Sequence, residues 1–150
     1  MKSLLKLLCV FLLSLFFIGC ASTGPKYSEL VPTVSPVASD IGRIYIYRTV
    51  VLGAAVQPDV KINGEVIGSA IPRGFFYVDR KPGAYEIMTS TEVDRKLSLL
   101  LEKGQTRFVR LNISMGFFVG HVYPELIEPD IAKAEIQDCH YTGTDKKSPK

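Results

Sequence analysis

The sequence contains few of the side chains that enzymes use for chemistry. It has two histidines, His121 and His140, although histidine is the most common general acid or base. Ser69 follows a glycine but lacks the second glycine of a nucleophile elbow. The H-E-x-x-H, C-x-x-C and glycine-rich phosphate-loop motifs are also missing. We therefore predict that the protein is not an enzyme and uses no cofactor.

The sequence has no diagnostic metal motif either. Suitable ligand atoms occur near its C-terminus, at His121, Glu125, Glu128, Asp130 and His140. Their spacing is not that of a known zinc site, and an aspartate at position 130 suits the positive end of a helix dipole. We interpret these residues as a solvated acidic helix end and predict no metal.

The charge balance argues against a partner that is a nucleic acid. The chain has 18 basic and 15 acidic residues, and removal of Lys2 and Lys6 with an N-terminal leader would leave 16 basic ones. Nucleic-acid-binding domains carry a much stronger basic bias. We therefore predict no nucleic-acid partner.

The apolar run at the N-terminus is too short for a membrane-spanning helix. Lys2 and Lys6 precede the uncharged segment "LLCVFLLSLFFI", whereas a span needs about 20 apolar residues. Small residues surround Cys20, as a peptidase cleavage site requires. Residues 1–19 therefore predict a signal peptide. The alternatives are an uncleaved anchor, or a secretory peptide cut elsewhere with a free Cys20.

The segment "FIGC", residues 17–20, resembles the lipobox of bacterial lipoproteins. Gly19 and Cys20 match that pattern, and Phe17 stands where leucine is usual. The resemblance implies cleavage between Gly19 and Cys20 and attachment of diacylglycerol to the Cys20 thiol. Two or three acyl chains on Cys20 would anchor the protein stably in a membrane. Ala21 and Ser22, in place of an aspartate, favour the outer membrane, with the protein facing the periplasm.

Cys139 is the cysteine left without a partner after this processing. Cys9 leaves with the signal peptide and Cys20 carries lipid. An unpaired thiol in an oxidising compartment forms an intermolecular disulfide or is buried. We favour burial, because free cysteine behaves as a small hydrophobic residue.

The rest of the chain divides by composition into a tether, a domain and a tail. Residues 20–40 are rich in Ser, Thr and Pro and lack any hydrophobic period, which is typical of a flexible tether. Residues 41–139 carry the hydrophobic pattern of a folded domain. Residues 140–150, which end in "GTDKKSPK", predict a disordered tail.

Alternating apolar residues and turn signals predict a β-domain. "GRIYIYR" is apolar on both faces and predicts a central strand. Asn63-Gly64, Pro82-Gly83 and Gly104 mark turns between alternating segments and predict consecutive antiparallel hairpins. The sequence therefore predicts a mainly β fold, an antiparallel β-sandwich or partly closed barrel of about seven strands.

A short helix is predicted after these strands. Pro129 suits the first helical turn, and Asp130 suits the positive end of the helix dipole. Ala132, Ile136 and Cys139 form a stripe at helical spacing. This pattern predicts a C-terminal helix that buries Cys139.

The segments "RIYIYR", "DVKINGEVIG", "GFFYVDRKPGAYEI" and "GHVYPEL" resemble the bacterial lipoprotein family called domain of unknown function 2846. The resemblance runs from about Gly42 to Cys139 and rests on sheet and turn chemistry. It implies an exported β-domain and supplies no catalytic residue.

Two aromatic segments, "RGFFYV" and "GFFVGHVY", predict a surface for a protein partner, because exposed aromatic and arginine side chains anchor interfaces. The candidate residues are Arg73, Phe75, Phe76, Tyr77, Phe117, Phe118 and Tyr123. Alternatively, a second sheet and the helix cover both faces. The leading hypothesis is a non-catalytic envelope lipoprotein that docks a protein partner or assembly. The alternatives are a module that binds a small ligand or glycan and, more weakly, a hydrolase built around His121.

Overall fold

The computed structural model describes residues 24–114 and 120–143. These residues form nine strands in two sheets that do not close into a barrel, together with a short C-terminal helix. The elements are α1 (Tyr27–Leu30), β1 (Gly42–Arg48), β2 (Asp59–Ile62), β3 (Glu65–Ser69), β4 (Gly74–Arg80), β5 (Gly83–Ser90), β6 (Asp94–Leu101), β7 (Thr106–Ser114), β8 (His121–Ile127), α2 (Pro129–Glu135) and β9 (His140–Tyr141), with 3₁₀ turns at Val31–Thr33 and Ile136–Asp138. The predicted mainly β fold is confirmed.

The larger sheet has the strand order β8-β7-β1-β4-β9, and the smaller sheet has the order β3-β2-β5-β6. β1 lies at the centre of the larger sheet, and all of its residues are buried. Ile44 and Ile46 face the smaller sheet, whereas Tyr45 and Tyr47 face the opposite side. The prediction of a central strand is therefore confirmed.

The predicted turns occur at the predicted positions, but only some of the strands that they join pair with each other. Asn63 and Gly64 both have positive φ, 47° and 86°, and join β2 to β3 in an antiparallel hairpin. The turns at Pro82-Gly83 and Gly104 instead carry the chain from one sheet to the other. β1 pairs with β7, and β4 with β9, in parallel. The prediction of consecutive hairpins is therefore wrong at those turns. A turn only reverses the chain locally, whereas burial of the apolar side chains determines which strand each strand pairs with.

Two hydrophobic cores lie on opposite faces of the larger sheet. The inter-sheet core includes Ile44, Ile46, Val60, Ile62, Phe76, Ile87, Leu101, Val109 and Leu111. The helix-side core consists of Tyr27, Tyr45, Tyr47, Phe75, Phe108, Ala132, Ile136 and Cys139. The protein therefore has three layers, and the outer face of the smaller sheet is the face left to solvent.

The C-terminal helix has the predicted placement and buried stripe. Pro129 occupies its first turn, and Asp130 lies beside the helix N-terminus. Ala132, Ile136 and Cys139 are all buried in the helix-side core. The helix therefore covers the aromatic face of the larger sheet.

The N-terminal segment differs from the predicted tether. Tyr27 is buried, and its ring lies 5.3 Å from that of Phe75 and 5.5 Å from that of Tyr45. A tether is therefore wrong for residues 26–33, because Tyr27 and the partly buried Leu30 and Val31 pack this stretch against the larger sheet. His140 and Tyr141 likewise form β9 rather than the start of a tail. The remaining predicted tail, 144–150, lies outside the described residues.

Cys139 is a free, buried cysteine, as predicted. Burial raises the pKa of its thiol to about 11. At pH 8 only about one thiol in a thousand would then be the reactive thiolate.

We therefore expect iodoacetamide at pH 8 to leave Cys139 unmodified in the folded protein and to alkylate it fully in denaturant. Peptide mapping by mass spectrometry measures both outcomes at this position. Rapid alkylation of the folded protein would contradict the burial of this thiol.

Candidate functional site

Arg48 is the most unusual residue of the inter-sheet core. It is the last residue of β1, on the same face as Ile44 and Ile46, and it is fully buried. Its guanidinium donates hydrogen bonds of 2.7 to 3.1 Å to the backbone carbonyls of Val50, Leu52, Gly53, Val56 and Ala70. Burial lowers the pKa of Arg48. The five carbonyls replace the water that the buried guanidinium loses, because together they accept hydrogen bonds from every N–H group of the side chain.

Four of these carbonyls belong to the segment that follows β1, residues 49–58, which we call the Arg48 loop. Gly53 has a positive φ of 67°, and a Cβ atom there would lie 2.2 Å from Ile113 Cδ1. Val56 packs against the inter-sheet core from the same loop. The loop therefore closes one end of the sandwich, with its backbone fixed by Arg48 and by a close approach to β7.

The tip of the Arg48 loop exposes apolar side chains. Val51 is 53% exposed and Leu52 is 69% exposed. Arg48 Nη2 donates a hydrogen bond of 2.8 Å to the carbonyl oxygen of Leu52. The backbone of Leu52 is therefore fixed, although its side chain is exposed. A fixed apolar protrusion is typical of a binding surface, because little conformational entropy is lost on contact.

A second surface feature is an open groove between the edge strands β6 and β8. Its cavity volume is about 360 Å³, and it is lined by Arg95, Lys96, Ser114, Tyr123 and Pro124. Lys96 also pairs with Glu86 at 3.1 Å. The volume is that of a small-ligand site, although two of the five lining residues are charged, and Arg95, Lys96 and Ser114 are exposed.

His121 lies between a hydroxyl and a carboxylate. Thr91 Oγ1 is 3.0 Å from His121 Nδ1, and Glu92 Oε2 is 3.5 Å from Nε2. This order of groups is that of hydrolytic triads, but 3.5 Å is too long for the hydrogen bond that orients the imidazole. We interpret the contacts as structural, because they join β8 to the turn between β5 and β6.

Three of the residues considered as metal ligands, His121, Glu125 and His140, have separate partners. His140 Nδ1 lies 2.7 Å from the carbonyl of Gly24. Glu125 accepts hydrogen bonds from Arg110 and Asn112. In the described part of the chain, no group of three His, Cys, Asp or Glu residues could hold a metal ion.

Arg110 joins α2 to the larger sheet. Its Nη1 lies 2.5 Å from Glu135, and its Nη2 lies 2.8 Å from Glu125. Tyr47 donates its hydroxyl to the second oxygen of Glu135 at 2.7 Å. Burial and the contact with Glu135 raise the pKa of Tyr47, which keeps the phenol a donor. This polar cluster docks the helix and presents no open reaction site.

Among the described residues, the aromatic side chains predicted as a partner surface are not brought together on one exposed face. Phe75 and Phe76 are both buried, on opposite faces of β4. Their assignment to a partner surface is therefore wrong, because both faces of this strand are covered. Tyr77 is half-buried, and the Arg43 guanidinium lies 4.5 Å from its ring centre. Arg73 is exposed, in the turn before β4.

Two predicted surface residues and the predicted anchor fall outside the described part of the chain. Tyr123 lines the groove between β6 and β8, whereas Phe117 and Phe118 lie in the undescribed segment 115–119. Gly19, Cys20 and the predicted signal peptide also lie outside the description. Among the residues that are described, none of the helices is both long and apolar enough to cross a membrane.

Sequence reasoning missed the Arg48 loop. Two signals could have indicated it. Arg48 occupies a position that the alternation of Ile44 and Ile46 assigns to the core, and the apolar run "VVLGAAV" follows directly. An arginine in a core position needs acceptors nearby, and the carbonyls of an adjacent loop are the nearest candidates.

The fold and the Arg48 loop define a class of protein, a two-sheet β-domain that exposes an apolar loop with a fixed backbone. Residues 38–122 match the family model described as "Protein of unknown function (DUF2846)", and the chain belongs to this family. A Haemophilus influenzae protein described as "Uncharacterized protein" is 33% identical over 103 residues, which cover 68% of this chain and 61% of that protein. The chain therefore spans less than two thirds of that relative. No solved structure matches the chain significantly.

We expect Arg48→Met to lower the free energy of unfolding by on the order of 3 kcal/mol, because buried carbonyls lose their donor. Arg48→Lys should lose less, since an ammonium keeps the charge but reaches fewer acceptors. Urea unfolding measures both changes. An unchanged midpoint for Arg48→Met would contradict the dependence of the loop on this side chain.

Proposed function

We propose that this protein is a non-catalytic lipoprotein of the bacterial cell envelope whose β-domain docks a protein partner through the Arg48 loop. The observation that carries the proposal is the exposure of Val51 and Leu52 on a backbone fixed by a buried arginine. The proposed anchor is Cys20, lipidated after cleavage behind Gly19. The proposed location is the outer membrane, with the domain in the periplasm.

The chemistry of the loop favours a protein as its partner. Val51 and Leu52 are apolar, and the neighbouring Ala54 and Ala55 are also exposed. Small aliphatic side chains offer little to a glycan, which is recognised by hydrogen bonds and aromatic stacking. They do fit an apolar pocket of another protein, where burial of a leucine side chain contributes about 2 kcal/mol.

The proposed anchor is supported by the N-terminal sequence. The basic residues, the short apolar run and the "FIGC" segment occur in the order that lipoprotein processing requires. Lipid attachment would keep the loop close to partners in the envelope.

Crosslinking in intact cells tests the docking proposal. A photoreactive residue at position 54 should give one discrete protein adduct, identified by mass. Leu52→Asp should abolish the adduct, because a charge cannot enter an apolar pocket without a large desolvation penalty. Cys20→Ala should remove both the lipid and the adduct.

Leu100→Asp is the matched control, because Leu100 is 55% exposed on the outer face of the smaller sheet. It adds the same charge at a comparable exposed leucine and should leave the adduct intact. Equal loss in both variants, or no adduct from a folded and membrane-bound protein, would overturn docking through this loop.

The groove between β6 and β8 favours a second candidate function, the binding of a small ligand or glycan. Tyr123 offers a ring for stacking, and Arg95 and Lys96 offer donors. On this alternative, Tyr123→Ala should abolish binding to a glycan array, whereas Tyr85→Ala, outside the groove, should not. An array on which the wild-type domain binds no glycan would contradict the alternative.

A further inference from the structure

The start of the described chain is held firmly by its C-terminal segment. The Tyr27 amide donates to the carbonyl of Cys139 at 2.9 Å, and the Tyr141 amide donates to the carbonyl of Pro25 at 2.8 Å. Lys26 forms an isolated antiparallel bridge with His140 of β9. Residues 24–26 therefore extend the larger sheet beyond β9, and we call Gly24–Lys26 together with β9 the anchor edge.

Side chains strengthen the attachment at the same place. Lys26 Nζ lies 2.9 Å from Asp138, and His140 Nδ1 donates to the carbonyl of Gly24 at 2.7 Å. A Cβ atom at Gly24 would lie 2.1 Å from the carbonyl oxygen of Tyr141. The chain is thus fixed to the domain from Gly24 onward.

This attachment limits how far a lipidated Cys20 could lie from the domain. Four peptide steps separate the Cα atoms of Cys20 and Gly24, and they span at most about 14 Å when fully extended. A flexible tether through residue 40 would instead have a root-mean-square length of roughly 25 Å. The fold shortens the predicted tether to the three residues that follow Cys20.

We propose that the anchor edge lies directly against phospholipid headgroups. The proposal rests on the proposed lipid anchor at Cys20, because that anchor places the membrane within reach of Gly24. Lys26 contacts Asp138 through its side chain and Glu29 through its backbone amide. The exposed Arg73 lies beside β9, where its carbonyl accepts from the His140 amide at 2.8 Å. Two cations and two carboxylates therefore occupy this region. These charges balance, so the short link between Gly24 and Cys20 is what places this surface against the headgroups.

The opposite edge of the protein then faces away from the membrane. The larger sheet ends at β8, four strand positions from β9, and strands lie about 4.8 Å apart. β8 lies against β6 of the smaller sheet. Ser98, which is exposed on β6, therefore serves as a reference position far from the anchor edge.

Fluorescence quenching in vesicles tests the proposal. Gln137, exposed beside Asp138, and Ser98 are each replaced by cysteine in the full-length protein with Cys139→Ser, and each is labelled with a fluorophore. The lipidated proteins are reconstituted in phosphatidylethanolamine and phosphatidylglycerol vesicles that contain a headgroup-labelled nitroxide lipid. We expect strong quenching at position 137 and little at position 98.

A Gly/Ser insertion of 15 residues between Thr23 and Gly24 is the matched control. It adds a coil of about 20 Å without altering the domain or the lipidation signal, and it should abolish quenching at position 137. Equal quenching at both positions, or quenching that survives the insertion, would overturn the proposal. Intact mass shows whether Cys20 carries lipid. A protein without lipid would overturn the anchor and the proposal together, whereas a lipidated protein with the wrong quenching pattern overturns the anchor edge alone.

Discussion

The burial of Arg48 is the constraint on which the end of the sandwich depends. A guanidinium among Ile44, Ile46 and their neighbours is stable only if each N–H group finds an acceptor. The chain supplies the acceptors by folding residues 49–58 back over the side chain, and Gly53 permits the close turn against Ile113. The hydrogen bonds that compensate the buried guanidinium also hold the loop in a conformation that leaves the side chains of Val51 and Leu52 exposed. The candidate docking surface is therefore a consequence of how the core is closed.

The other surfaces follow from the three-layer arrangement. The larger sheet is covered by the smaller sheet on one face and by α1, α2 and their flanking turns on the other. This coverage removes Phe75 and Phe76 of β4 from the surface and makes them part of the two cores. It also brings the N-terminal segment beside β9, so that the proposed anchor joins the domain at an edge of the sheet. The Arg48 loop lies at the end of β1, where it stays open to a partner.

The sequence allowed some features of the fold to be predicted because they are local. Asn63-Gly64 encodes its own hairpin, β1 is apolar on both faces, and the stripe that ends at Cys139 requires a helix with a buried side. Strand pairing after Pro82-Gly83 depends on distant residues, so the turn alone could not indicate a change of sheet. Docking of the N-terminal segment was missed although Tyr27, Leu30 and Val31 have the i, i+3, i+4 spacing of an apolar helix face, because this signal spans a single turn of a Ser/Thr/Pro-rich stretch. For the candidate site, the sequence indicated Tyr123 as part of a partner surface, and the structure places it in the groove between β6 and β8. The Arg48 loop was not found from the sequence.

Docking through this loop requires that Arg48 hold the loop in one conformation before any partner binds. Backbone ¹⁵N relaxation of the free protein measures this directly at Val51 and Leu52. We expect order parameters of about 0.85, as in rigid backbone, in the wild-type protein and a marked decrease in Arg48→Met. Order parameters below about 0.6 in the wild-type protein would contradict it, because the exposed side chains would then belong to a flexible loop.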